Sequence, residues 1–326
     1  MAPPTTAAVL DHRCFPHLTD AVLASADRHA LLALRATCRS MRDKADARLL
    51  HHIAALPTGE LVHGDGGRLP AFYPGIVVRR LESGDPRAEL TARQKKLLAH
   101  TRVLDMADWS SFLLPPIHEA VTNLHALRMD FTGGIHPIVK VPCPVVVLFR
   151  DPTRDKLCYK PLEHRGVRKV VCNVKYREME STEGEGFDLS MPESTSELVI
   201  IYRSFRAHRV RDARISDVTN STMHVIASHT YCNHDACVQY TLVDFPILPE
   251  LQRAGEGTPL HTQEQAHERF LQLLGETMSQ SERSAEMAEA VKARVSFVTL
   301  AEYAGRLTPE ELYYETTVPP TLGEGL

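Results

Sequence analysis

The sequence predicts an α/β fold in two parts, a short three-helix module followed by a larger domain with a largely parallel sheet. Three observations carry this expectation. Residues 15–56 place apolar side chains at helical spacing. From about residue 101 onward, short β-branched or apolar runs return again and again with loops or helices between them. Several of those runs share one register, L-x-x-L-x-L. The boundaries that follow are 12–57 for the helical module, 58–100 for a connector and 101–318 for the strand-and-helix domain.

Within the module, Pro16 suits the first turn of a helix in which Leu18, Ala21, Val22 and Ser25 share a face. Asp27 is placed to cap a second helix carrying Ala30, Leu31 and Leu34 on one stripe. A third helix is expected from Cys38, Met41, Ala45, Leu49, Ile53 and Leu56, which recur every three or four residues. On its other face Arg39 with Asp43 and Arg42 with Asp46 are spaced for i,i+4 pairs, and Pro57, Thr58 and Gly59 end it.

The connector mixes Gly and Pro (GDGG at 64–67, Pro70, Pro74, Pro86) with a basic helical piece over 92–100. Strands are then expected at 102–106, 126–129, 145–149, 168–174, 198–202, 223–227, 238–243 and 295–300. Thr101, Leu104 and Met106 match Leu124, Leu127 and Met129, and Val167, Val170 and Cys172 repeat the spacing. An interval of roughly 20 to 28 residues is that of leucine-rich units, each of which needs neighbours to bury its core. The repeat is irregular, because Trp109, Thr132 and Lys175 stand where a regular unit carries a buried Asn. An ordinary α/β domain with a parallel sheet is the alternative. Thr262 with Gln265, and Thr308, Pro309 and Glu311, open two further helices, while the acidic stretch 178–197 reads as a mobile loop.

Composition narrows the function. The chain has 326 residues, 43% apolar and 24% charged, with a net charge of -4, which offers no bulk attraction to nucleic acid or to an anionic membrane. Seven cysteines, odd in number and mostly inside apolar runs, favour a reducing compartment, and no signal-like or membrane-spanning run is present, so the expected location is cytoplasmic or nuclear. No phosphate-binding loop, serine elbow or spaced carboxylate pair marks a catalytic residue, and no cofactor is expected. His229, Cys232, His234 and Cys237 offer metal-binding groups, but separations of three, two and three residues do not form the usual knuckles. They read as a polar loop between two strands, with no metal. Arg203, Arg206, Arg209, Arg211 and Arg214 form the strongest local positive charge and, lacking interleaved aromatics, read as a basic loop beside the acidic one.

The segment FPHLTDAVLASADRHALLALRATCRSMRDKADARLL resembles an F-box. Phe15-Pro16, Val22-Leu23, Ala30-Leu31-Leu32, Leu34 and Cys38-Arg39 stand in register with that family's Leu-Pro start, apolar helix, Asp-Leu-Leu-like step and Leu-x-x-x-Cys-Arg. Met41 stands where the family carries Trp, and His17 where it often carries an acid. The whole chain, ending in E-Y-x-x-x-L-T-x-E-E-L-x-x-E-T, is similar to the F-box-like proteins of fungi. The resemblance implies a Skp-family adaptor bound through Phe15, Pro16, Leu18, Val22, Leu31, Leu34, Cys38 and Met41, a cullin scaffold behind it, and a target protein on the C-terminal domain. The chain is then a non-catalytic substrate-receptor subunit of a ubiquitin ligase. A unit of about 40 residues rarely holds its fold alone, so these helices must dock on something. The other reading is a stand-alone repeat scaffold with the helices as its cap.

Overall fold

A computed structural model describes residues 15–56, 61–67, 69, 91–106, 120–130, 142–150, 157–159, 166–176, 187–189, 191–204, 218–232, 237–246, 262–280 and 284–318. Three helices come first, α1 (Pro16–Ser25), α2 (Arg28–Arg35) and α3 (Arg39–Leu49). They are followed by β1 (His52–Ala55), β2 (Leu61–His63), α4 (Ala92–Leu98), β3 (Val103–Met106), β4 (Ala126–Asp130) and β5 (Val145–Arg150). Next come β6 (Leu157–Tyr159), β7 (Lys169–Tyr176), β8 (Phe187–Leu189), β9 (Glu197–Ser204), α5 (Val218–Cys232) and β10 (Gln239–Val243). The chain continues through α6 (Gln263–Gln280), α7 (Ala285–Lys292), β11 (Val295–Val298), α8 (Leu300–Ala304) and α9 (Pro309–Thr316).

The main sheet has nine strands in the order β11-β10-β9-β7-β5-β4-β3-β1-β2. Among the described residues only β1 and β2 pair antiparallel; the other pairings in this sheet are parallel. β2 flanks β1 at one edge; from β1 through β3 to β11 the order then runs one way, each later strand laid beside the preceding member of that run. The connections between β5 and β9 also contribute β6 and β8, which pair parallel in a second, two-stranded sheet.

The repeated register of the sequence becomes lateral pairing. Leu104 lies beside Leu127, then Val146, Val170 and Leu198, and Met106 beside Met129, Leu148, Cys172 and Ile200. Alternate residues of a strand point to opposite faces. These rows fill one face, in a continuous buried cluster that also takes in Met223 and Ile226 of α5, Phe270, Leu274 and Met278 of α6, and Val291 of α7. The intervening rows, Val147, Val171 and Val199 among them, fill the other face with Tyr303 of α8. Apolar residues on both faces are what a parallel sheet covered on both sides requires.

Several local expectations change. The third helix stops at Leu49, and Ile53 belongs to β1, because a buried Ile53–Ala55 run beside β3 gains ladder bonds and burial on both faces. Met223–Ala227 is not a strand but the middle of α5, where Met223, Ile226, Ala227 and Thr230 recur at helical spacing. The 58–100 connector contributes β2 and α4. The stretch 178–197 contains β8, and Met191 and Thr195 within it are buried. Trp109, Thr132, the acidic residues 178–186 and the arginines beyond Arg203 lie outside the described residues.

Candidate functional site

The N-terminal helices divide the eight expected adaptor contacts into an outer and an inner set. Pro16 opens α1, and Thr19 and Leu23 turn inward. Phe15, Leu18 and Val22 lie three and four residues apart on a neighbouring stripe, 45%, 51% and 53% exposed. In α2, Asp27 accepts a hydrogen bond from Ala30 N at 2.8 Å as a cap. Leu31, however, is 8% exposed and belongs to the main core, with Leu34 half-buried against it. Leu31 is therefore removed from the accessible surface: the amphipathic face of α2 packs on α3 and the body rather than outward. Cys38 is the exposed N-cap of α3, without a side-chain cap bond, and Met41 is half-buried.

Ion pairs fix these helices to one another. Arg35 Nε meets Asp46 Oδ1 at 2.6 Å and ties α2 to α3. Lys44 Nζ meets Asp20 Oδ1 at 2.5 Å and ties α3 to α1, while Asp43 faces Lys96 of α4 at 3.8 Å. The acidic residues of α3, expected to pair along their own helix, thus reach neighbouring elements.

The second region is the sheet face under α9. Asp105 and Arg128 are lateral neighbours on β3 and β4, both wholly buried, with Arg128 Nη1 3.5 Å from Asp105 Oδ1. His52 Nε2 lies 2.9 Å from Asp105 Oδ2 and 3.4 Å from Arg128 Nη1. His52 has this position because Gly64 passes over its ring; a Cβ at Gly64 would come within 2.3 Å of it. Burial lowers the Arg128 pKa below its usual value, and Asp105 opposes that shift. The guanidinium also lies over the rings of Phe149 and Tyr313, 5.3 and 5.8 Å from their centres.

Further along, Lys169 Nζ of β7 meets Glu315 Oε1 at 2.7 Å and lies 5.3 Å from the centre of the Tyr303 ring. Tyr303 donates its hydroxyl to Glu315 Oε2. Desolvation first, then the Glu315 charge, pushes the Tyr303 pKa up, so the phenol keeps its proton and stays a donor. At the first-strand end, Tyr314 donates to Glu310, which His51 Nε2 approaches at 3.1 Å.

His52 has the carboxylate neighbour of a general base; among the described residues its ring bonds to Asp105 and Arg128, and the rings of Tyr313 and Tyr314 stand edge-on to it. Among the described residues no group of three or more His, Cys, Asp or Glu side chains could hold a metal ion. His229 and Cys232 close α5 instead of flanking a loop between strands, and His234 is outside the described residues. Among the described residues no helix is long and apolar enough to cross a membrane. The α1 residues are legible from helical spacing alone, whereas no motif singles out the Asp105–Arg128 pair. A signal for it exists all the same, one charged residue at the same position of the paired runs Val103–Met106 and Ala126–Met129, which are otherwise apolar.

Comparison with known proteins finds no matching family model, no matching curated protein and no matching solved structure.

Proposed function

We propose that this chain is the substrate-receptor subunit of a cullin-type ubiquitin ligase, with its first helices on a Skp-family adaptor and its sheet domain on a target protein. The observation that carries the reading is the exposed stripe of Phe15, Leu18 and Val22 on a helix whose other side is already packed. Large apolar side chains left exposed on one helical face are a liability unless another polypeptide covers them. The one-way order of parallel strands from β1 to β11 supports an irregular leucine-rich-repeat-like solenoid. Such a subunit needs no catalytic group, since holding a target near a transferring enzyme raises its effective concentration. The expected setting is cytoplasmic or nuclear.

The test is adaptor copurification with Leu18→Asp/Val22→Asp, two exposed positions whose change leaves the core intact. Recovery of adaptor is expected to fall at least about tenfold, the effect of roughly 1.4 kcal/mol. Unchanged recovery with a folded chain overturns the assignment. A second reading, a scaffold capped by its own helices, is favoured by Leu23, Leu31 and Leu49 lying in the same cluster as the sheet. Under it the double variant changes nothing in any pull-down.

A further inference from the structure

Helix α9 meets the sheet through the end of its backbone. The last turn of a helix leaves carbonyls without intrahelical partners. Here three consecutive ones are taken by side chains from three strands: Glu315 O accepts from Asn173 Nδ2 of β7 at 2.7 Å, Thr316 O from Arg203 of β9, and Thr317 O from Arg128 of β4. Two guanidinium groups therefore sit at the negative end of the helix dipole. The Glu315 carboxylate completes the hold on Lys169 and Tyr303. What the face recognises is a helical C-terminal turn bearing one carboxylate.

The fit is incomplete. Asn173 Oδ1, Arg128 Nε and Arg203 Nε are buried and have no hydrogen-bond partner among the described residues. A buried polar atom without a partner carries a desolvation cost that no hydrogen bond offsets. A competing helix with a second carboxylate past its last turn would accept from the two Nε donors that α9 leaves without a partner among the described residues. Helix α8 stays in place in this exchange and keeps the Tyr303 hydroxyl in the face. Leu300 N is held by Asp244 Oδ1 at 2.8 Å, its capping box is complete, and residues 305–307 separate it from α9.

We infer that this face is a docking site for a short acidic helix of a target protein, and that α9 occupies it in cis until the target replaces it. The site stands on the contacts above; only the description of the competitor as a ligase target rests on the receptor reading.

The experiment uses the full chain and a labelled peptide of the sequence 308–318, TPEELYYETTV, read by fluorescence anisotropy. In the Glu315→Lys chain the cation opposes Lys169 and frees α9. That chain is expected to bind the peptide at least about tenfold more tightly than the unaltered chain, because a site nine-tenths occupied in cis shows roughly a tenth of its intrinsic affinity. A peptide carrying Lys at the Glu315 position should not bind. The double swap Lys169→Glu/Glu315→Lys should restore both weak peptide binding and slow hydrogen exchange in 309–318. Equal binding by the unaltered and Glu315→Lys chains, or indifference to the peptide's own Glu, overturns the inference.

If Glu315→Lys does not fold, the deciding measurement is hydrogen exchange in the unaltered chain, with peptide above the roughly millimolar effective concentration of a tethered segment. Exchange in 309–318 should then accelerate at least about twofold while β4, β7 and β9 stay unchanged; no acceleration overturns the inference. Adaptor recovery through α1 is a separate readout, so failure of the receptor reading leaves the peptide result standing.

Discussion

Arg128 shows how much one residue sets at this site. It is wholly buried, pairs with Asp105, and donates to the end of α9. Removing one partner of a buried pair leaves the other charge uncompensated, at a cost of about 3–5 kcal/mol. Arg128→Met is expected to lose that much in urea unfolding, and Asp105→Asn/Arg128→Met less than the sum of the two single changes. The cysteines give a second residue-scale expectation. Burial pushes the Cys143 thiol up to about 12, whereas Cys38 and Cys237 are exposed. A thiol reagent at about pH 8, where a free cysteine is partly ionised, should label Cys38 and Cys237 in the native chain and Cys143 only after unfolding, as peptide mapping would show.

Among the elements, the helix starts were the most legible part of the sequence. Asp27, Thr262 with Gln265, and Thr308 with Glu311 all make the cap bonds that their spacing predicts, since a cap depends on residues within one turn. Asp27→Ala is expected to cost about 1 kcal/mol, seen as a lower urea midpoint at unchanged slope. Strand identity was less legible. Ile53 continued a helical period in sequence yet pairs with Leu104, and Met223–Ala227 looked β-like yet lies in α5. In both cases the pattern of the segment alone was compatible with either state, and packing against distant chain decided it. The outward stripe of α1 was visible as a stripe, but its direction was not: Thr19 and Leu23, not Leu18 and Val22, meet the body.

For the whole molecule, the α/β class and the lateral register could be read because Leu104, Leu127 and Val170 sit at one position of a repeated unit. The covering of the second face could not, because it joins residues as far apart as Arg128 and Thr317. A global property follows from three histidines, His63 and His229 buried and His51 half-buried. Burial lowers the pKa of His51, His63 and His229 below the usual value. The unfolded chain, with ordinary histidines near 6.5, then binds more protons at mildly acid pH than the folded one. Stability is therefore full above about pH 6.5 and is lost as pH falls through the folded values. Urea midpoints should decline between pH 7.5 and 5.5, and His229→Gln should flatten that decline. Glu302 and Glu311, held low by their backbone cap bonds, add a separate loss only in the carboxylate range.

The way α9 spans β4, β7 and β9 while Tyr314 rests on Val103 and Ala126 also orders events during synthesis. Each later strand of the main sheet can join one already delivered by the ribosome, but the guanidiniums and the asparagine wait for a helix translated after all of them. A nascent chain stalled anywhere before residue 309 therefore carries these two guanidiniums and the asparagine without the carbonyls that receive them.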